Sequence, residues 1–180
     1  RLVVEDLARR ENFAGRECRA VEYADSELTP GDEALDHDLV VVAAPANLDV
    51  NIAMFKAAVA KMRPNAILAS NTSSISITRL AGQTSRPDRV IGMHFMNPVP
   101  LMKLVELVRG VQTSDETYAV IRDLSEALGK SVITSKDQPG FVVNRMLVPF
   151  LNEACFVLQE GLGTPEDIDL GAKLGLNHPM

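Results

Sequence analysis

From residue 39 onward the apolar positions follow two alternating patterns. Leu39-Val40-Val41-Val42-Ala43-Ala44 is a short, unbroken, β-branched run, which is how a strand buried on both faces of a parallel sheet reads. Pro45 ends it. Over residues 49–62, Ile52, Phe55, Ala58, Val59 and Met62 recur at helical spacing, so one face of a helix is apolar there. Ala66-Ile67-Leu68-Ala69, Val90-Ile91-Gly92-Met93 and Leu104-Val105-Glu106-Leu107-Val108 predict further strands, and Val132-Ile133-Thr134 a last one. Thr113 and Glu116 have the spacing of a capping box, for a helix that continues to Leu128 and stops at Gly129.

Strands alternating with helices predict an α/β fold with a doubly wound, Rossmann-like parallel sheet. Ligands of such sheets sit beyond the carboxyl ends of the strands. The polar turn Ser70-Asn71-Thr72-Ser73-Ser74 follows one predicted strand and His94 closes another, so both fall where chemistry is expected. The sheet is expected to be partial. A dinucleotide-binding βαβ unit uses a Gly-x-Gly-x-x-Gly turn, and the nearest approach, Gly161-Leu162-Gly163, follows a helix instead of a strand. Residues 1–38 carry weak patterns: residues 2–10 read as the end of a helix, and the acidic stretch 22–38, with Pro30-Gly31, as loop and turn.

The pattern changes at Asp137-Gln138-Pro139-Gly140. Over residues 141–160 nearly every turn is apolar on several faces, through Phe141, Val142, Met146, Leu147, Phe150, Leu151, Ala154, Phe156 and Leu158. Such a helix is expected to be buried in a core or a subunit interface. Thr164 and Pro165 then supply the cap and first position of another helix. Two domains are expected: residues 1–136, a partial nucleotide-binding domain, and residues 137–180, the start of an all-helical domain.

A formal net charge of −6 gives the chain no electrostatic pull toward nucleic acid or anionic membrane. Neither is expected as a partner. No run reaches the roughly 18 apolar residues that span a bilayer, and residue 1 begins no basic–apolar leader. Cys18 and Cys155 are far apart and outside any metal-like spacing, which fits reduced, buried thiols of a cytosolic or organelle-matrix protein, and a cytoplasmic setting is expected. No metal site is expected. Because residue 1 is Arg and the chain stops at Met180 without a tail, a fragment or processed product is expected.

Of the three histidines, His94 stands apart because it closes a buried strand and precedes Asn97-Pro98-Val99-Pro100. The prolines force an irregular loop that returns the chain to residues 103–108. There Glu106 interrupts an apolar run, and a carboxylate in such a run is costly unless paired. His94, on the preceding strand, is the nearest plausible partner, and a carboxylate-oriented imidazole is a standard acid–base device. Spacing alone also allows a Glu106 paired with Lys103 or Arg109 and a His94 bonded to a carbonyl. Ser73 fits a ligand-binding hydroxyl or ordinary turn chemistry. Asn144, in an otherwise apolar helix start, needs either a ligand or a side chain as partner.

Four blocks in order, Ser70-Asn71-Thr72-Ser73-Ser74, His94-Phe95-Met96-Asn97-Pro98-Val99-Pro100, Met102-Lys103-Leu104-Val105-Glu106 and Pro139-Gly140-Phe141-Val142-Val143-Asn144-Arg145, resemble the 3-hydroxyacyl-CoA dehydrogenase family. They look closest to the bacterial 3-hydroxybutyryl-CoA type. The resemblance covers residues 39–180. It implies an enzyme that moves hydride between NAD and C3 of a short-chain 3-hydroxyacyl-CoA, in fatty-acid or butanoate metabolism, and a homodimer formed through the helical domain. It implies His94 as general base and Glu106 as the group that orients it. Ser73 would lie between substrate oxygen and nicotinamide, Asn97 would contact the nicotinamide side of the cofactor, and Asn144 would support the substrate carbonyl. The chain departs from the family at Ala46, where a Glu usually contacts the cofactor, and at Asn51, where a Lys is frequent. Two alternatives stand beside this reading: a related hydroxyacid or sugar-acid dehydrogenase of the L-gulonate 3-dehydrogenase type, and a non-catalytic homologue.

Overall fold

A computed structural model of the 180-residue chain describes residues 18–22 and 38–178. The predicted helix end at residues 2–10 and most of the predicted loop at 22–38, His37 included, lie outside the described residues. The chain divides into two compact units, Arg1–Phe141 and Val142–Met180.

In the first unit six described strands lie side by side in chain order: β1 (Cys18–Glu22), β2 (Leu39–Ala43), β3 (Ile67–Ser70), β4 (Val90–Phe95), β5 (Leu104–Arg109) and β6 (Ser131–Lys136). β1 was not legible in the sequence pattern. Neighbours pair in parallel except β4 and β5, which are antiparallel. The exception has a simple cause, because residues 96–103 are too short for the crossover of about a dozen residues that a parallel return requires.

Helices cover both faces of the sheet. α1 (Leu48–Lys61) and α2 (Ile77–Ala81) pack Met54, Phe55, Ala58, Ile77, Leu80 and Ala81 against Val40, Val42, Leu68, Val90 and Val108. α3 (Asp115–Ala127) packs Ile121 and Leu124 against Leu39, Val41, Ile67, Ala69, Ile91, Met93 and Leu107 on the other face. Successive strand residues thus serve opposite cores, which is why β2, β3 and β4 read as unbroken apolar runs. Burying each such Leu, Ile or Phe contributes about 1.5–3 kcal/mol.

α3 begins one residue later than the predicted box. Ser114 is the cap, its Oγ accepting from Thr117 N at 3.1 Å. The Thr113 hydroxyl instead donates to the Val90 carbonyl at 2.7 Å, tying the helix entry to β4. α2 lies close on the sheet because Gly92 of β4 has no side chain: a Cβ there would stand 2.7 Å from the Val108 Cβ and 3.0 Å from Ile77. That close approach brings the turn before α2 down onto the carboxyl edge.

The second unit holds α4 (Val143–Gln159), α5 (Pro165–Leu170) and a wide turn at Gly171–Gly175. The Thr164 hydroxyl accepts from Asp167 N, and the Asp167 carboxylate accepts from Thr164 N, in a reciprocal box at the start of α5. α4 has apolar residues all round, yet none is buried. The expected burial is not met within the described residues. One side, with Val143, Met146, Leu147 and Phe150, lines an open apolar groove together with Leu176 and His178. Val148, Leu151 and Leu158 are exposed, and so is Cys155, against the burial expected for its thiol.

Candidate active site

β4 and β5 are in register so that His94 lies directly across from Glu106. Both side chains point to the face covered by α1 and α2. His94 Nδ1 lies 2.7 Å from Glu106 Oε2. The imidazole is 7% exposed and Glu106 is fully buried. A carboxylate only accepts, so the ring nitrogen that faces it carries the hydrogen, and Nε2 keeps its lone pair. Glu106 therefore selects the tautomer in which the Nε2 lone pair is available. The His94–Glu106 pairing expected from the sequence is present.

The backbone beside His94 is held from β3. Asn71 N donates to the Val42 carbonyl at 2.9 Å, and Asn71 Oδ1 accepts from Phe95 N at 2.9 Å. Asn71 thus bridges the strand ends where β3 and β4 part. Thr72 Oγ1 accepts from Ser74 N and Ile75 N at 3.3 and 3.0 Å, fixing the turn. Asp137, just past β6, completes it. Its carboxylate accepts from the Ser76 hydroxyl at 2.7 Å, Ile77 N at 2.9 Å and Thr78 N at 2.7 Å. Burial works against the charged carboxyl, but the bonds from Thr78, Ser76 and Ile77 outweigh it and hold its pKa below the ordinary carboxylate value.

Within this frame Ser73 is part-exposed and Asn97 exposed, and neither side chain is spent on a hydrogen bond to another described residue. Ser73 follows β3 and Asn97 follows β4, so both stand at the carboxyl edge that carries His94. The Asn97–Pro98 peptide is cis. Asn144 belongs to the second unit, in the first turn of α4, and is partly buried.

Sequence reasoning passed over three further groups. Lys130 is 9% exposed, and its Nζ donates to the carbonyls of Val99 at 2.6 Å and Met102 at 3.1 Å. It thereby ties down the loop after His94. Phe141 is 5% exposed and meets His94 edge to face, with centroids 5.7 Å apart. Asn71 had no signal beyond its place in a polar turn. A lysine straight after the helix-stopping Gly129 gave no hint of burial. Asn51, by contrast, is fully engaged: its Nδ2 donates to the carbonyls of Pro45 and Asn47 at 2.8 and 2.7 Å, so it braces the turn between β2 and α1. Among the described residues no cluster of three or more His, Cys, Asp or Glu could hold a metal, and no helix is long and apolar enough to cross a membrane.

Residues 5–138 match the family description "3-hydroxyacyl-CoA dehydrogenase, NAD binding domain", and residues 140–180 match "3-hydroxyacyl-CoA dehydrogenase, C-terminal domain". The chain is 52% identical over 149 residues to a 3-hydroxybutyryl-CoA dehydrogenase of Bradyrhizobium diazoefficiens, covering 83% of this chain and 51% of that protein. It is 48% identical over 143 residues to the human mitochondrial hydroxyacyl-coenzyme A dehydrogenase, covering 79% of this chain and 46% of that protein. The crystal structure of (S)-3-hydroxybutyryl-CoA dehydrogenase from Ralstonia eutropha superposes with a TM-score of 0.80 at 57% identity, over 82% of this chain and 52% of that one. The chain spans about half the length of these relatives. With matched domains across nearly all its length and a carboxylate-oriented histidine at the carboxyl edge of its sheet, the chain belongs to the 3-hydroxyacyl-CoA dehydrogenase family.

Proposed function

We propose that this chain carries the acid–base centre of an NAD-dependent 3-hydroxyacyl-CoA dehydrogenase acting on short acyl chains. The observation that carries the reading is the 2.7 Å contact between His94 Nδ1 and the buried Glu106 carboxylate. A carboxylate taken fully out of water costs several kcal/mol unless a partner offsets it. Here the partner is an imidazole whose second nitrogen is left for chemistry.

The donor set fits a nicotinamide group. Ser73 and Asn97 offer a hydroxyl and a carboxamide at the edge beside His94, neither engaged with another described residue. Ser73 would stand between substrate oxygen and nicotinamide, and Asn97 would bind the nicotinamide carboxamide. Bound NAD supplies the hydride acceptor. His94 Nε2 takes the proton of the 3-hydroxyl as the C3–H bond breaks, and returns it to the 3-keto oxygen in the reverse direction. Glu106 stabilises the imidazolium while the proton resides there. Asn144 would bond the thioester carbonyl from the helical unit. The exposed apolar side of α4 supports a homodimer through that unit, and the reduced-thiol composition supports a cytoplasmic setting.

Oxidation of NADH by acetoacetyl-CoA tests this function. Turnover with the thioester and negligible turnover with free acetoacetate are expected. The reverse order would move the chain to the hydroxyacid dehydrogenases. A solved neighbour described as a diketoreductase, 31% identical with a TM-score of 0.76, shows that this fold serves other carbonyl substrates.

One set of observations favours a non-catalytic homologue. The sequence holds no Gly-x-Gly-x-x-Gly turn, and Asn51 is spent on the β2–α1 turn. Titration of NADH fluorescence separates the two readings. Saturable enhancement is expected of the enzyme, and its absence at millimolar protein would favour the homologue.

A further inference from the structure

Phe141 is a core residue that also stands in an unusual backbone conformation and touches the His94 ring. Its backbone stands at φ 49°, the left-handed region, as the only positive-φ residue other than glycine and Asn177 among the described residues. A bulky aromatic residue there is strained, at a cost on the order of 1–3 kcal/mol, and such strain persists only where the surroundings impose it. The surroundings do so. Asp137 is anchored to the start of α2 by three hydrogen bonds, Gln138 N donates to the Lys136 carbonyl, and Phe141 N donates to the Gln138 carbonyl at 3.0 Å. This tight reversal carries the chain from the end of β6 back over the face of β4. Its result is a ring buried to 5% exposure and set edge to face on the His94 imidazole, with an interplanar angle of 61°.

We propose that Phe141 is a positioning residue for His94, a role that rests on the acid–base function assigned above. Glu106 fixes one ring nitrogen but leaves the imidazole free to tilt about that bond. The Phe141 ring closes the remaining direction and holds Nε2 on one line. The left-handed backbone at Phe141 sets its ring against His94 at the edge of the core it shares with Ile77, Val90 and Val108. Errors of an ångström in such a group cost on the order of 10²-fold in rate.

Phe141→Leu keeps an apolar side chain of similar bulk and the same backbone demand, but removes the flat edge. The expected result is a fall in kcat for acetoacetyl-CoA of about tenfold or more, with KM within about twofold and a melting curve close to the parent's. A kcat unchanged in a folded Phe141→Leu protein overturns the proposal, as does a loss of activity that tracks the unfolded fraction. A measurement on the unsubstituted chain, without cofactor, keeps the proposal separable from the function itself. Nuclear Overhauser contacts between the His94 and Phe141 ring protons are expected, as is a single sharp set of His94 ring resonances that broadens or shifts in Phe141→Leu. The His178 resonances, beside Phe150 in the other unit, serve as the unshifted control. Absence of the ring contact, or His94 resonances identical in parent and variant, overturns the positioning role even if turnover is found. Persistence of the contact with no turnover sinks the dehydrogenase function and leaves the geometry standing.

Discussion

At the scale of single residues the design is a polar pair inside an apolar sheet. Glu106 has no exposure, so a substitution at His94 should keep a donor toward the buried carboxylate. The informative substitution is therefore His94→Gln, whose amide still donates toward Glu106 but offers no base. Its kcat is expected to fall by about 10²–10⁴-fold with substrate affinity nearly unchanged, read from steady-state kinetics and ligand titration. A drop below tenfold would remove His94 from proton transfer. Glu106→Gln retains an acceptor for Nδ1–H but not the charge that steadies the imidazolium, so kcat falls while the fold survives, and equal kcat values would make Glu106 structural. This pair was legible because one carboxylate interrupted an otherwise apolar run twelve residues after a strand-ending histidine. Asn71, Lys130 and Phe141 were not, because each acts through the backbone or ring it meets in space, and nothing in its neighbours along the chain marks that meeting.

At the scale of elements, the ends of β3, β4 and β6 and the start of α2 are held by side chains crossing between them. Asp137 is the largest of these ties. Because its folded pKa lies below the ordinary value of 3.8, the stability it lends is fully present above pH 3.8 and disappears as pH falls through the lower, folded value. Asp137→Asn, which turns an acceptor oxygen into a donor facing N–H groups, is expected to cost about 1–2 kcal/mol at pH 7, reduced from a fully buried case because the group is part-exposed. Urea midpoints should differ between parent and variant at pH 7 and converge near pH 2; a gap independent of pH would deny the carboxylate its role. Gly92 makes the same region possible by absence. Gly92→Ala would force a Cβ to 2.7 Å from that of Val108, at about 1–3 kcal/mol of overpacking, and a melting temperature unchanged by that substitution would contradict the packing. The elements themselves were mostly readable, since buried parallel strands are continuous apolar runs. The antiparallel return at β5 was readable only in the length of its loop. The cap of α3 was misplaced by one residue because Thr113 and Ser114 are both capable caps, and the Val90 carbonyl claims the first of them.

At the scale of the whole chain, the circumference of α4 carries two apolar stripes with different fates. Val143, Met146, Leu147, Phe150, Ala154 and Val157 line open grooves of the second unit, shared with Ile168, Ala172, Leu176 and His178. Val148, Leu151, Cys155 and Leu158 recur at three- and four-residue steps on another side, and all four are exposed. That spacing is the seam of a helix that packs against a second helix. Water-facing leucines at 47% exposure gain stability once covered, at about 25 cal/mol for each Å² removed from water. The proposed homodimer would cover them with the same stripe of a second copy, since a two-fold interface must be self-complementary. Leu151→Lys combined with Leu158→Lys places charges at two points of the seam and leaves the inner stripe untouched. Sedimentation velocity is expected to show concentration-dependent association of the parent chain and a monomer for the double variant, with equal helix content by circular dichroism. Association undiminished in the variant would place the interface elsewhere and leave this stripe to some other partner.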